Sequence, residues 1–294
     1  MSNNYKNQFG RANQAENYLK YRPKYSEEFL GIKLLKKVED VKEKKGKVTG
    51  IDIACGSGQL TFRLLPFFDQ ILGVDVNTQQ LENAILASQK IEEKKKIDFL
   101  KCDSTKVDEL LKSDKILSLD PSFVFIAQAF HWFDFKDFLT RFTHQTKEKN
   151  VTLVIVGYTL FELTKDCDSF AQPILEWEKT INPYFQFHRP LLDTMYIDMH
   201  FQNYFKNVEF VQHTETVKDQ DIRSFIGYLD TWSAYRNYLE KVSKDPSKDP
   251  LLIMMKQLGL KNYESKHFDQ IEIPESAPSK VHYNITYFMY ICSN

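Results

Sequence analysis

The chain lacks the usual marks of an oxidising compartment, a membrane or a nucleic-acid partner. It has only four cysteines in 294 residues, Cys55, Cys102, Cys167 and Cys292, and they do not share the short spacing of metal ligands. Reduced thiols, a cytoplasmic setting and no metal site are therefore expected. No apolar run approaches the roughly 18 residues that a bilayer span requires. The first eight residues are polar and have no apolar core of a secretion signal. A net charge of −1 gives no basic excess for a nucleic acid or an anionic membrane surface. Internal repeats, low-complexity tracts and the P-loop lysine pattern are missing too.

What remains is a globular composition with one organising stretch. Hydrophobic residues make up 42% and charged residues 27%, which suits a packed core. Aromatics reach 14%, enough to line an apolar pocket besides filling that core. Val48 to Ala54 is a mostly apolar run, as in a buried parallel strand. Gly56-Ser57-Gly58 follows, and Gln59 to Phe68 can form a helix. Strand, glycine turn and helix together open a nucleotide-binding βα unit. Gly56 permits unusual backbone angles, and Gly58 would let a ligand approach the main chain. The dinucleotide fingerprint asks for a third glycine where this chain has Thr61.

Three acids sharpen the reading. Asp52 lies inside the first strand, where it disfavours a pyrophosphate and suits a ligand with an amino group and a positive charge. Ile71 to Asp75 reads as a second buried strand ending in an acid that can hold ribose hydroxyls. Ile97 to Asp103 reads as a third, and Asp103 can accept from an adenine amino group. Three acids in register describe S-adenosylmethionine better than a nicotinamide cofactor or ATP.

With these residues in place, the sequence resembles the class I S-adenosylmethionine-dependent methyltransferases. It is most similar to the small-molecule branch that includes the trans-aconitate methyltransferases. Four segments carry the resemblance: Tyr18 to Tyr25, with Arg22-Pro23; the Asp52 to Gly58 loop with Asp75; Ala127 to Asp134, with His131-Trp132; and Tyr228 to Tyr235, with Trp232. The resemblance implies a Rossmann-like, seven-stranded, mostly parallel sheet with helices on both faces and a helical insertion over the cleft. It also implies that Tyr18 and Arg22 fold over the methionine end of the cofactor, with Arg22 on its carboxylate. Val76 and Ser104, beside the acids, join the expected cofactor contacts. Trp232 and Tyr235 are expected to reach the acceptor.

Further along, Ser26 can cap a helix over Ser26–Val38, and Thr78–Lys90 is a second amphipathic candidate. Ser122–Ala127 and Val151–Gly157 read as the fourth and fifth strands. Gln128, His131 and Trp132 follow the fourth strand directly and so face the cleft at the carboxyl ends of the strands. Gln128 can bond the cofactor, and Trp132 can wall the adenine or the acceptor. His131 is either a packed core residue, a donor that orients the substrate, or a general base near neutral pH. Tyr158 stands just past the fifth strand, at the cleft. Residues 165–205 break the alternation and read as a helical cover. Val208–His213 is a return strand, Asp219–Val242 one helix capped by Asp219 or Asp221, and Leu251–Leu260 a shorter helix. Val281–Ile291 is the last strand.

The whole chain, 1–294, is expected to be one domain. Residues 1–47 form an N-terminal lid and helix, 48–160 the cofactor core, 161–262 the substrate-covering insertions with one strand, and 263–294 the C-terminal strand region. A small-molecule acceptor is expected, with no nucleic acid and no membrane insertion, and the chain is expected as a monomer or homodimer. Carboxyl O-methylation of a small organic acid is the favoured reaction. A carboxylate arrives ionised and needs cationic or hydrogen-bonding clamps, for which Arg22, Arg189, Arg223 and Arg236 are candidates. C-, S- or N-methylation of a quinone precursor or xenobiotic is an alternative, as is a non-catalytic subunit of an assembly.

Overall fold

The computed structural model describes residues 12–92, 96–103, 105–185, 189–242, 245–263 and 267–294. Its elements, in chain order, begin with α1 (Ala12–Tyr21), α2 (Glu27–Gly31) and α3 (Leu34–Lys45). Strands and helices then alternate: β1 (Thr49–Ile53), α4 (Gln59–Leu64), β2 (Gln70–Asp75), α5 (Thr78–Ser88), β3 (Ile97–Lys101), α6 (Val107–Leu111), α7 (Asp114–Leu119), β4 (Phe123–Ala127), α8 (Phe135–Thr146) and β5 (Thr152–Tyr158). The last third holds β6 (Glu162–Leu163), α9 (Asp168–Ile181), α10 (Arg189–Asp193), β7 (Asn207–Asp221), α11 (Ile222–Asp230), α12 (Ser233–Lys241), α13 (Pro250–Gln257) and β8 (Lys280–Ser293).

Strands β1 to β5 are parallel, in the order β3-β2-β1-β4-β5. β8 then runs antiparallel to β5, and β7 antiparallel to β8. β6 pairs with β8 at Glu162↔Asn284, just beyond the β5 pair Tyr158↔Tyr287. It therefore prolongs β5 along the same edge of β8. Eight strands occupy the seven positions expected from the sequence. The strand order reverses between β1 and β4, which opens a crevice at their carboxyl ends.

The central strands are mostly apolar because both faces are buried, with Asp52 of β1 a buried exception. In β4, Phe123 and Phe125 join one core cluster while Val124 and Ile126 join the other, as the two-residue period of a strand requires. The first cluster packs under α2, α3, α9 and α11, and the second under α6, α7 and α8. No helix among the described residues is long and apolar enough to cross a membrane.

Four elements differ from the sequence reading. The helix expected over Ser26–Val38 is two, α2 and α3, although Ser26 does cap α2 by accepting from the Phe29 N–H. The helix expected over Asp219–Val242 is also two. Asp221 caps α11, Trp232 is extended, and the Thr231 hydroxyl donates to the Tyr228 carbonyl at 2.6 Å in the break. The return strand β7 runs fifteen residues, well beyond His213, because β8 pairs with it along most of its length. Helix α7 is only six residues long, too short for a helical period to show in the sequence.

Candidate active site

The site is built at the reversal of the sheet. Strand β1 is wholly buried and delivers the chain to Ala54, whose φ of +56° is uncommon for a residue with a side chain. Gly56 (φ +56°) and Gly58 (φ +89°) complete the turn into α4. Their roles differ from those expected. A Cβ on Gly58 would sit 2.7 Å from the Phe62 ring, so its bare Cα serves packing. A Cβ on Gly56 would meet nothing nearer than Gln80 Oε1 at 3.9 Å, so the open approach to the main chain is at Gly56. Gln128, after β4, also has positive φ, +51°. Both strands that flank the crevice thus end in a strained turn, a feature that clusters at functional sites.

Three carboxylates line the cleft. Asp52 is buried in β1, and its Oδ2 accepts from the Thr61 hydroxyl at 2.6 Å. Burial raises it to about 7, against the lowering effect of the Thr61 bond, with Asp75 adding repulsion. Asp75 ties the end of β2 to the glycine turn: Oδ2 accepts from the Gly56 N–H and Oδ1 from the Asn77 N–H, each at 2.8 Å. Burial shifts it upward although both bonds pull it down. Asp103, past β3, accepts from the Thr105 hydroxyl at 2.6 Å.

The polar floor of the cleft indicates what it takes. Among the described residues, Asp52 Oδ1, Ser57 Oγ and Gln80 Oε1 are buried without a hydrogen-bond partner, and all three residues face the cleft. Such atoms are rare in folded proteins and expect a ligand or water. They are predominantly acceptors, and no Lys or Arg lines the cleft among the described residues. A polyphosphate would find no cation there and would face three acids. A ligand with an ammonium group and ribose hydroxyls finds acceptors and the open main chain at Gly56. The residues present fit S-adenosylmethionine on these grounds.

The other expected residues divide. Tyr18, Val76 and Trp132 line the cleft with the three acids. Gln128 does too, but its Nε2 donates to the Tyr158 carbonyl at 3.0 Å, which ties β4 to the end of β5. Ser104 lies outside the described residues. His131 is buried and lines neither cavity described here; its Nδ1 lies 2.8 Å from the Tyr196 hydroxyl, beneath Trp132. Tyr235 is turned away as well, its hydroxyl donating to the Asp249 carboxylate at 2.9 Å. Ser57, Gln80 and Tyr25 line the cleft and carried no sequence signal beyond their closeness to the glycine turn, the second strand and the Arg-Pro segment.

Arg22 is placed differently from its expected position. It lines a second, small cavity with Tyr158, Phe185, Arg189, Tyr228 and Trp232. This chamber lies next to the cleft: Gln128 of the cleft bonds the Tyr158 carbonyl, and the Tyr18 ring lies 4.9 Å from the Arg22 guanidinium. Of the four candidate arginines, Arg223 donates to the Ile271 carbonyl and Asp221, and Arg236 is bound to Asp230. Only Arg22 and Arg189 face the chamber. Burial pushes the Tyr228 hydroxyl up to about 12 and the Tyr158 hydroxyl higher still.

Residues 51–154 match a family model described as a methyltransferase domain. A Dictyostelium discoideum protein named as a methyltransferase is 27% identical over 90% of each chain. The solved structure of a type II methyltransferase from Anaeromyxobacter dehalogenans covers 93% of this chain and 98% of its own, with 18% identity and a TM-score of 0.61. The last likeness shows the fold.

Proposed function

We propose that this chain, a class I S-adenosylmethionine-dependent methyltransferase, methylates the carboxylate of a small organic acid. One observation carries the choice of acceptor. The chamber beside the cleft presents two guanidiniums among aromatic rings, and among the described residues that line it no carboxylate or imidazole could serve as base. Its tyrosines hold their protons at neutral pH. A phenol, alcohol or thiol would have to be deprotonated first, whereas a carboxylate comes ionised.

S-adenosylmethionine, when bound, supplies a methyl group activated by a sulfonium. The chain's part is position and exclusion of water. Asp52, Ser57 and Gln80 offer acceptors to the amino-acid end, and Asp75 and Asp103 offer carboxylates to the nucleoside. Helix α1 covers the site: the Tyr21 ring seats on Gly227 of α11, and Gln59 Nε2 donates to the Tyr18 carbonyl at 3.1 Å. The rings of Tyr158, Tyr228 and Trp232 strip water from the acceptor, which strengthens its contacts with the guanidiniums.

The test is a product assay. Purified protein, S-adenosylmethionine and a panel of small carboxylic acids should give methyl esters, seen as a gain of one CH2 by mass and lost on alkaline hydrolysis. Alkali-stable products from thiol, amine or carbon acceptors alone would overturn the reading. Transfer to none of them, with S-adenosylhomocysteine still binding, would favour a non-catalytic subunit.

A further inference from the structure

We infer that Arg22 serves the methyl acceptor and not the cofactor: its guanidinium, completed by that of Arg189, is the carboxylate-binding end of the aromatic chamber. The inference rests on the carboxylate reading above.

The local sequence begins the separation. Pro23 disfavours a helical conformation at the residue before it, so α1 stops at Tyr21 and Arg22 leaves the helix. Tyr18, inside α1, faces the cleft, while Arg22, past its end, faces the chamber. The break between α11 and α12 receives it: Arg22 Nη2 donates to the Thr231 carbonyl at 3.0 Å, and Nη1 lies 3.4 Å from the Tyr158 hydroxyl. The guanidinium also lies over the rings of Tyr18 and Tyr228, 4.9 and 5.6 Å from their centroids.

All of these partners are neutral. Among the described residues, no carboxylate lies within ion-pair distance of Arg22, and its Nε is buried without a hydrogen-bond partner. Arginine keeps its charge in proteins, so the chamber holds a partly buried cation satisfied only by a carbonyl, a hydroxyl and two ring faces. An uncompensated buried charge is costly, and an anion that forms a two-pronged pair with it removes that cost. Arg189 is different. Its Nε donates to Asp193 at 2.8 Å, and its guanidinium lies 5.4 Å from the Phe185 ring centroid. Asp193 cancels its charge and holds it in place, with Nη2 also 2.7 Å from the Asp193 carboxylate. The chamber therefore carries one unbalanced positive charge, at Arg22, and a second, prepaired donor. Its occupant is an organic carboxylate, seated against the ring surface that Phe185, Tyr228 and Trp232 present to the chamber.

The experiment separates cofactor binding from acceptor binding. Wild type, Arg22→Gln and Arg189→Gln are titrated calorimetrically with S-adenosylhomocysteine, and KM is measured for each carboxylic acid that the wild type esterifies. Losing a charge-assisted bond to the acceptor should raise KM by about tenfold or more in Arg22→Gln, with S-adenosylhomocysteine affinity changed by less than about fivefold. Arg189→Gln should raise KM in the same direction, again with affinity kept. A loss of S-adenosylhomocysteine affinity of about fivefold or more in Arg22→Gln would return Arg22 to the cofactor and overturn the inference. Should Arg22→Gln fail to melt cooperatively, Arg22→Lys, which keeps the charge but not the two-pronged geometry, is read against the same limits. If the wild type esterifies no acid, the carboxylate reading fails by itself, and the titration still decides whether Arg22 serves the cofactor.

Discussion

Thr61 donates its hydroxyl to Asp52 across the first turn of α4, and both residues are buried under the glycine loop. Thr61 stands where a dinucleotide fingerprint would place its third glycine. Here that position orients a carboxylate whose other oxygen faces the cleft without a partner.

Asp52 should make both stability and ligand binding depend on pH. Its value of about 7 in the folded chain lies well above the 3.8 of an unperturbed group. Between these values the native state holds a proton that the unfolded chain has released, so stability falls as pH rises, with the full penalty above pH 7. Asp52→Asn should therefore be more stable than wild type by about 2–4 kcal/mol near pH 8, and the gain should vanish near pH 4, in urea melts. An ammonium ligand requires the ionised form. Wild-type affinity for S-adenosylhomocysteine should fall towards about tenfold per unit below pH 7. Asp52→Asn should bind more weakly at high pH and show a flat profile.

Gly58→Ala places a methyl 2.7 Å from the Phe62 ring at a φ of +89°. Strain and displacement of Phe62 should cost about 1–3 kcal/mol and distort the turn that presents Asp52 and Ser57. Thermal melting reads the first effect, and calorimetric titration with S-adenosylhomocysteine the second; both should fall.

Gly227→Ala is a test of the cover. The added methyl would lie 2.7 Å from the Tyr21 ring, which seats α1 on α11. Helix α1 should be pushed off, with Tyr18 withdrawn from the cleft. S-adenosylhomocysteine affinity should drop severalfold while near-ultraviolet circular dichroism retains the folded signal.

His131 is bonded to Tyr196 and lies behind Trp132, away from both cavities. Tyr196→Phe removes that bond and should cost about 1 kcal/mol of stability. His131→Gln should lower the melting temperature and leave kcat within a few-fold of wild type. A collapse of kcat with an unchanged melting temperature would make His131 the base.

Much of the fold was legible because its signals are local. Val48–Ala54, Ile71–Asp75 and Ser122–Ala127 are apolar runs with both faces buried, bounded by turns, and the glycine loop marks the first crossover. The three acids could be placed because strand ends in a parallel sheet share one edge. β7 was cut short because its exposed half is rich in polar residues, and only its pairing with β8 defines it. The break at Thr231–Trp232 was hidden because aromatics recur there at helical spacing on both sides.

The sequence by itself determined the sheet, the glycine turn and the acidic edge, since each depends on residues a few positions apart. Only the tertiary structure decided which arginines meet the chamber. Arg22 reaches Tyr158 across 136 residues and Thr231 across 209, through a helix end, a strand end and a helix break. Four arginines were equivalent in the sequence. Packing bound Arg223 and Arg236 to nearby partners, held Arg189 on Asp193, and left Arg22 partly buried with no carboxylate partner among the described residues.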